Sequence, residues 1–385
     1  MIGGSQALGR PQSPRGERVK WYASIVFCGA LPAVALIVFY DTMTGDGTLA
    51  FDFRPFYRAA GAILGGETPY PAADDPLTAW TGPYVYPPLG ALISIPFRAV
   101  PFDVAGVVVM LLLTAAAVAI PYLLGVRDWR CFGVAFLWPP VWNAIQTGNM
   151  TLVLGLAAAI AWRFRDARIA SSVAVGSTLA AKFFLWPLVV WFAATRRIGA
   201  AVIATSIGGL LLVLSWAAIG FVGLADYPEL MRRLSDAVGD DSYTLYIVGL
   251  DIGLPSPAAR ALWLGVGLGL LAAVVWAARK GDERSAFILT VAAALALSPI
   301  VWLHYFALLL IVVALAQPTL GLVWFVPLAL VVTPGSGHPT PFETGATLAV
   351  AALTIALALR TSLSLSRSPS RQVSDRSPVA AVSET

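Results

Sequence analysis

Eleven apolar stretches run through this chain, at about 21–40, 102–124, 131–145, 147–162, 168–195, 199–222, 258–278, 285–303, 304–317, 319–333 and 344–361. Several reach the roughly 20 residues that an α-helix needs to cross a bilayer. Backbone exposed to lipid must satisfy its own hydrogen bonds, so such runs read as spanning helices. Composition agrees: 58% of the 385 residues are hydrophobic and 12% charged, where a soluble domain has roughly half and a quarter. The expectation is an all-α integral membrane protein, a bundle of about 10–12 transmembrane helices. One transmembrane domain covers 21–361, between a basic N-terminal segment, 1–20, and a Ser-, Pro- and Arg-rich tail, 362–385, expected to be disordered.

The net charge of +4 does not point to nucleic acid. Its basic residues stand at the ends of apolar runs, where they set orientation. Arg10, Arg15, Arg18 and Lys20 place the N-terminus in the cytoplasm, and no cleavage pattern closes the first run, which reads as an uncleaved anchor. The first loop, 41–101, is then external, while "RDWR" at 127–130 and "RFRDAR" at 163–168 return inside. Read as one span, 168–195 sends Arg196, Arg197 and "RKGDER" at 279–284 outside; read as two half-length helices meeting near Lys182, it keeps them inside. Broken helices are tolerated at membrane depth where protein or a cavity covers them, and the hairpin is the reading adopted. Both termini are then cytoplasmic and the polar chemistry gathers on the external face. Cys28 and Cys131 lack metal-ligand spacing and read as small buried residues.

Between Asp52 and Leu64 the apolar residues Phe53, Phe56, Tyr57, Ala60, Ile63 and Leu64 form one helical face, with Gly65 and Gly66 to end it. The stretch is a candidate for an external amphipathic helix lying in the membrane interface. Asp52 would cap its N-terminus, where a carboxylate is favoured, or present itself to a substrate. Arg54 and Arg58 supply cations beside it. Tyr84 and Tyr86 in "YVYPPLGAL" have the character of an interfacial aromatic belt. Gln146 and Asn149, in the external turn "QTGNM", either cap helices or bind hydroxyls. Lys182 lies inside an apolar run, where a cation costs about 2.5–3.5 kcal/mol on insertion scales. It needs a partner or a wet cavity, or else snorkels to an interface. His304, between Trp302 and Tyr305, is either a satisfied bundle histidine or a hydrogen-bond donor to a ligand.

The ordered set "DFRPFYRAAGAILGGETPY", "YVYPPLGAL", "QTGNMTLVLGLAAAIAWRFRDARIASS", "LAAKFFLWPLVVWFAATRR" and "LSPIVWLHYFALLL" resembles the GT-C membrane glycosyltransferases. Within them it is similar to the polyprenol-phosphate-mannose-dependent α-mannosyltransferases, glycosyltransferase family 87, over roughly residues 20 to 317. The chain departs from the family pattern at "DDSYTLY", 240–246, and at Tyr305, where a second His or a Trp is common.

The resemblance implies a GT-C-like bundle with an external cavity. There a hexose, mannose by the same resemblance, passes from a polyprenyl-phosphate donor to a glycolipid or glycan acceptor at the outer face of the cytoplasmic membrane. Asp52 matches the family's catalytic carboxylate and is the expected general base for an inverting displacement. Arg54, Arg58, Lys182 and His304 are the expected donor-phosphate ligands. Tyr57, Tyr84, Tyr86, Gln146 and Asn149 are expected to touch sugar or acceptor. The sequence holds no DxD-type or His/Asp cluster, so neither metal nor cofactor is expected. The expected partners are the lipid-linked donor, the acceptor and membrane lipids. A transporter or flippase, which would show internal repeats, and a non-catalytic scaffold are the competing readings.

Overall fold

The computed structural model describes residues 14–45, 49–71, 82–238, 241–333 and 339–366. The expectations for residues 1–13, for 72–81 in the first loop, for 334–338 and for the tail beyond 366 lie outside the described residues. No strand occurs among the described residues. Five helices are long and apolar enough to cross a membrane: Trp21–Val38, Phe102–Leu123, Ile198–Ala218, Ser256–Arg279 and Pro341–Leu363. The chain is an all-α, multi-pass membrane protein.

The other apolar stretches are interrupted. Pro139 and Pro140 follow Trp138 and divide 131–145 into Trp129–Ala135 and Pro139–Thr147, because proline cannot continue a preceding helix. Pro139–Thr147 and Thr151–Arg163 are bent by 114° about the intervening turn and make a sixth crossing only if taken as one span. Every side chain from Leu303 to Ala316 is buried. That stretch is apolar because protein surrounds it, and hydropathy alone cannot tell such a segment from one that faces lipid.

The stretch 168–195 forms the expected hairpin. Helix Arg168–Ala181 ends at Lys182, whose backbone is extended, and a short 3-10 turn, Phe183–Leu185, leads into helix Pro187–Ala194. The two ends meet, with Arg197 donating to Asp166 at 3.0 Å and to Glu283 at 2.9 Å. Arg165 also reaches Glu283, at 3.3 Å. Thus "RFRDAR", Arg197 and "RKGDER" share one end of the bundle. Helix Ile198–Ala218 packs back on Arg168–Ala181 through small residues. A Cβ at Gly176 would come within 2.7 Å of the Ala204 carbonyl, and one at Gly208 within 2.9 Å of Leu179 Cβ. The Ser172 hydroxyl donates to the Ala200 carbonyl across the same seam. Small residues that let backbones approach replace the hydrophobic drive that lipid removes.

At the opposite end lies helix Arg54–Leu64, with Gly65 as C-cap. A second amphipathic helix, Tyr227–Val238, was not anticipated; Leu230 is buried on one side of it, while Glu229 pairs with Arg232 and Arg233 on an exposed side.

Candidate active site

The turn before helix Arg54–Leu64 is fastened to the turn that joins helices Pro139–Thr147 and Thr151–Arg163. The Ala50 amide donates to the Gln146 carbonyl at 2.9 Å, and the Asp52 amide to the Thr147 carbonyl at 2.6 Å. Gly148 permits the contact. Its φ is +71°, and a Cβ there would lie 2.9 Å from Phe53 Cβ and 3.2 Å from Ala50 Cα. Glycine adopts this left-handed conformation without the penalty other residues incur. Ala50 itself has φ +53° and is fully buried, so the turn carries strain held by its surroundings.

Asp52 does not cap the helix. Phe53 occupies the N-cap position, with no side-chain cap bond. The Asp52 carboxylate instead accepts through Oδ2 from Asn149 Nδ2 at 2.8 Å. Asn149 is buried, and its Oδ1 accepts from the Thr151 amide and hydroxyl at 2.9 and 2.7 Å. Those two bonds fix which end of the amide faces Asp52, so Asn149 is at once a helix-end bond and the holder of the carboxylate. No donor among the described residues reaches Asp52 Oδ1. His304 Nδ1 lies 3.8 Å from Oδ2 and 3.3 Å from Asn143 Oδ1. The ring is buried, and its Nε2 has no hydrogen-bond partner among the described residues.

Lys182 faces protein. Its Nζ donates to the Tyr305 hydroxyl at 2.5 Å and lies 4.4 Å from the centre of that ring and 5.1 Å from that of Tyr86. Tyr305 stacks on His304 with centroids 4.9 Å apart, which joins the lysine to the Asp52 cluster. Lys182, Tyr86, Tyr305 and Trp302 line a cavity of about 460 Å³ whose far wall includes Tyr227, Met231 and Leu234. The Tyr227 hydroxyl donates to the Val85 carbonyl at 2.9 Å, and burial pushes its pKa up to about 12, so it stays a donor.

The remaining sequence candidates are placed elsewhere. The Tyr57 hydroxyl donates to the Val100 carbonyl at 2.8 Å, and Arg98 covers its ring. Tyr84 is buried rather than part of an interfacial belt; its hydroxyl donates to the Pro87 carbonyl and accepts from the Ala91 amide, so it closes the turn into helix Pro88–Ser94. The Arg54 guanidinium lies over the Phe102 ring at 4.9 Å. Arg58 is exposed and lines a separate cavity of about 200 Å³ with Tyr70 and Tyr84. Gln146 contributes its backbone carbonyl to the Ala50 anchor. Sequence reasoning had not singled out Asn143 or the Lys182–Tyr305 pair. The available signal was an amide inside the apolar run "VWNAI", since polar groups at membrane depth are costly without a use.

A carboxylate held by one oxygen, beside a cation held by neutral phenols, suits a reaction in which a hydroxyl loses a proton while a phosphate leaves. Comparison with known proteins agrees. A family model described as glycosyltransferase family 87 matches residues 84–301, more than half of the chain. A curated protein of Mycolicibacterium smegmatis, a polyprenol-phosphate-mannose-dependent alpha-(1-2)-phosphatidylinositol pentamannoside mannosyltransferase, is 24% identical over 335 residues. The alignment covers 80% of this chain and 78% of that protein. No solved structure matches.

Proposed function

This chain belongs to glycosyltransferase family 87, and from that premise we propose that it moves mannose from a polyprenyl-phosphate donor to a hydroxyl of a glycolipid or glycan acceptor. The site faces outward from the cytoplasmic membrane, with both termini in the cytoplasm. The acceptor oxygen attacks the anomeric carbon, the bond from that carbon to the phosphate oxygen breaks, and the configuration inverts in a single displacement. Asp52 Oδ1 takes the acceptor's proton. The departing prenyl phosphate gains negative charge, and Lys182 meets it with an ammonium whose other neighbours are uncharged rings. Asn149 and Thr151 hold the carboxylate in place without spending Oδ1.

The observation that carries this reading is the Asp52 carboxylate, bonded among the described residues through Oδ2 alone and joined through His304 and Tyr305 to Lys182. The name of the Mycolicibacterium smegmatis relative supports the donor class, and the shared end of Asp166, Arg197 and Glu283 supports the orientation. Asp52→Asn keeps the shape of the side chain and removes the base. It is expected to lower transfer from polyprenyl-phosphate mannose by about a hundredfold or more, with normal membrane insertion. Transfer by the purified variant at close to the parent rate would overturn the assignment.

A further inference from the structure

His304 meets oxygen atoms at one ring nitrogen and no hydrogen-bond partner at the other. Asn143 Oδ1 lies 3.3 Å from Nδ1, and Asp52 Oδ2 lies 3.8 Å from the same atom. A carboxylate oxygen only accepts, so the ring proton belongs on Nδ1. Asn143 then turns its carbonyl to the ring, since its amino end would set donor against donor. On the far side Nε2 is buried and has no partner among the described residues. An imidazolium donates from both nitrogens, and a buried donor left without an acceptor costs about 1–3 kcal/mol.

The surroundings favour the same form of the ring. Its stacked neighbour Tyr305 and its edge neighbour Trp302 are uncharged rings. The charged groups near it are Asp52 and, one phenol further, Lys182. A second cation beside Lys182 would be disfavoured by repulsion. Asn143 itself stands in helix Pro139–Thr147, one turn before Thr147, whose carbonyl holds the Asp52 amide at 2.6 Å. One helix thus fixes the backbone of the carboxylate and meets the ring beside it.

We propose that Asn143 is a positioning residue: its side-chain carbonyl holds the Nδ1–H of His304, keeps that ring neutral and prevents it from pairing with the Asp52 carboxylate. This rests on the reading of Asp52 as the base. An imidazolium beside Asp52 would stabilise the negative charge that has to take the acceptor's proton. A neutral amide engages the N–H without bringing a charge of its own. Nε2 then carries a lone pair. It accepts from a hydroxyl or a water and cannot donate to a phosphate, so His304 leaves the set of phosphate ligands expected from the family resemblance.

The test uses the full-length purified protein, isotopically labelled in the ring nitrogens of histidine. The chain has two histidines, His304 and His338, so His338→Gln leaves one ring to observe. Nitrogen NMR at neutral pH is expected to show one protonated and one unprotonated nitrogen, with the proton on Nδ1. A proton on Nε2, or on both nitrogens, overturns the proposal, and that outcome needs no substitution at 143. Asn143→Asp sets a carboxylate against Nδ1 and raises the ring's affinity for a second proton. The ring is expected to keep that proton to a pH about one unit higher or more than in the parent. Transfer requires the neutral ring, so the acid limb of kcat/KM moves up with it, rate being lost as pH falls through the ring's raised value. An acid limb that stays in place, or moves without the ring's own titration, leaves Asn143 a structural role alone and overturns the proposal. If the parent ring has the proposed form while Asp52→Asn transfers at close to the parent rate, the base reading fails and the Asn143–His304 pairing stands.

Discussion

Lys182 sits among groups that hold it without neutralising it. Tyr305 accepts one of its three donors, two phenol rings flank it, and no carboxylate among the described residues forms an ion pair with it. A cation kept in that state inside a bundle is costly unless an anion arrives. Lys182→Met should therefore remove an interaction with the donor phosphate worth about 2 kcal/mol or more, about thirtyfold in kcat/KM. Tyr305→Phe removes one hydrogen bond, worth about 1 kcal/mol, and should cost only about fivefold. Steady-state kinetics on both variants check the order, and a Lys182→Met loss no larger than that of Tyr305→Phe would end the phosphate role. At this scale the sequence exposed the oddities but not their partners. Asp52 and Lys182 stood out because charge in or beside an apolar run demands an explanation. That Asn149 meets Asp52 was hidden, since 97 residues separate them. Tyr57 and Tyr84 resembled ligand-binding aromatics, yet their hydroxyls donate to backbone carbonyls, of Val100 and Pro87, which side-chain type alone does not disclose.

Elements were legible where periodicity or a breaker marked them. Helix Arg54–Leu64 was legible from its apolar face, and the break at Lys182 was the preferred of two readings because it kept the basic clusters at 196–197 and 279–284 on the side of the earlier ones. Helix Tyr227–Val238 was missed although "YPELMRRLSDAV" carries Leu230, Met231 and Leu234 at helical spacing. Its weak overall hydropathy hid it among the stretches between apolar runs. The turn that holds Asp52 depends on a dihedral angle that no hydropathy profile contains. Gly148→Ala puts a Cβ into a φ of +71°, against Phe53 and Ala50. Strain of about 1–3 kcal/mol follows, relieved by moving the Ala50–Phe53 segment away from Thr147. A displacement near 1 Å at the base costs up to about a hundredfold in rate. Thermal unfolding should fall by a few degrees while transfer falls at least tenfold. Transfer that falls no further than the amount of folded protein would show that the turn sets stability alone.

Across the whole molecule the charges must agree with one orientation. Ion pairs bring Asp166, Arg197 and Glu283 together, so the segments around 165, 197 and 283 share a face. In the orientation proposed above, that face is the cytoplasmic one. Glu67 follows helix Arg54–Leu64 and is exposed, at the end of the bundle that carries Asp52. Cys28 and Cys131 are both buried, so the parent chain gives little background to a thiol reagent. Glu67→Cys should label in intact cells with a membrane-impermeant maleimide. Ala167→Cys and Arg196→Cys, both exposed in the structure, should label only after the membrane is opened. The two basic-end positions must behave alike, because the hairpin through Lys182 returns the chain to the side it left. Labelling of Arg196→Cys together with Glu67→Cys from outside would require 168–195 to cross once, which the Arg197–Asp166 contact forbids. Labelling of all three positions in the reverse sense would keep the hairpin, turn the bundle over, and place Asp52 and Lys182 on the cytoplasmic side, where the proposed outward-facing transfer could not occur.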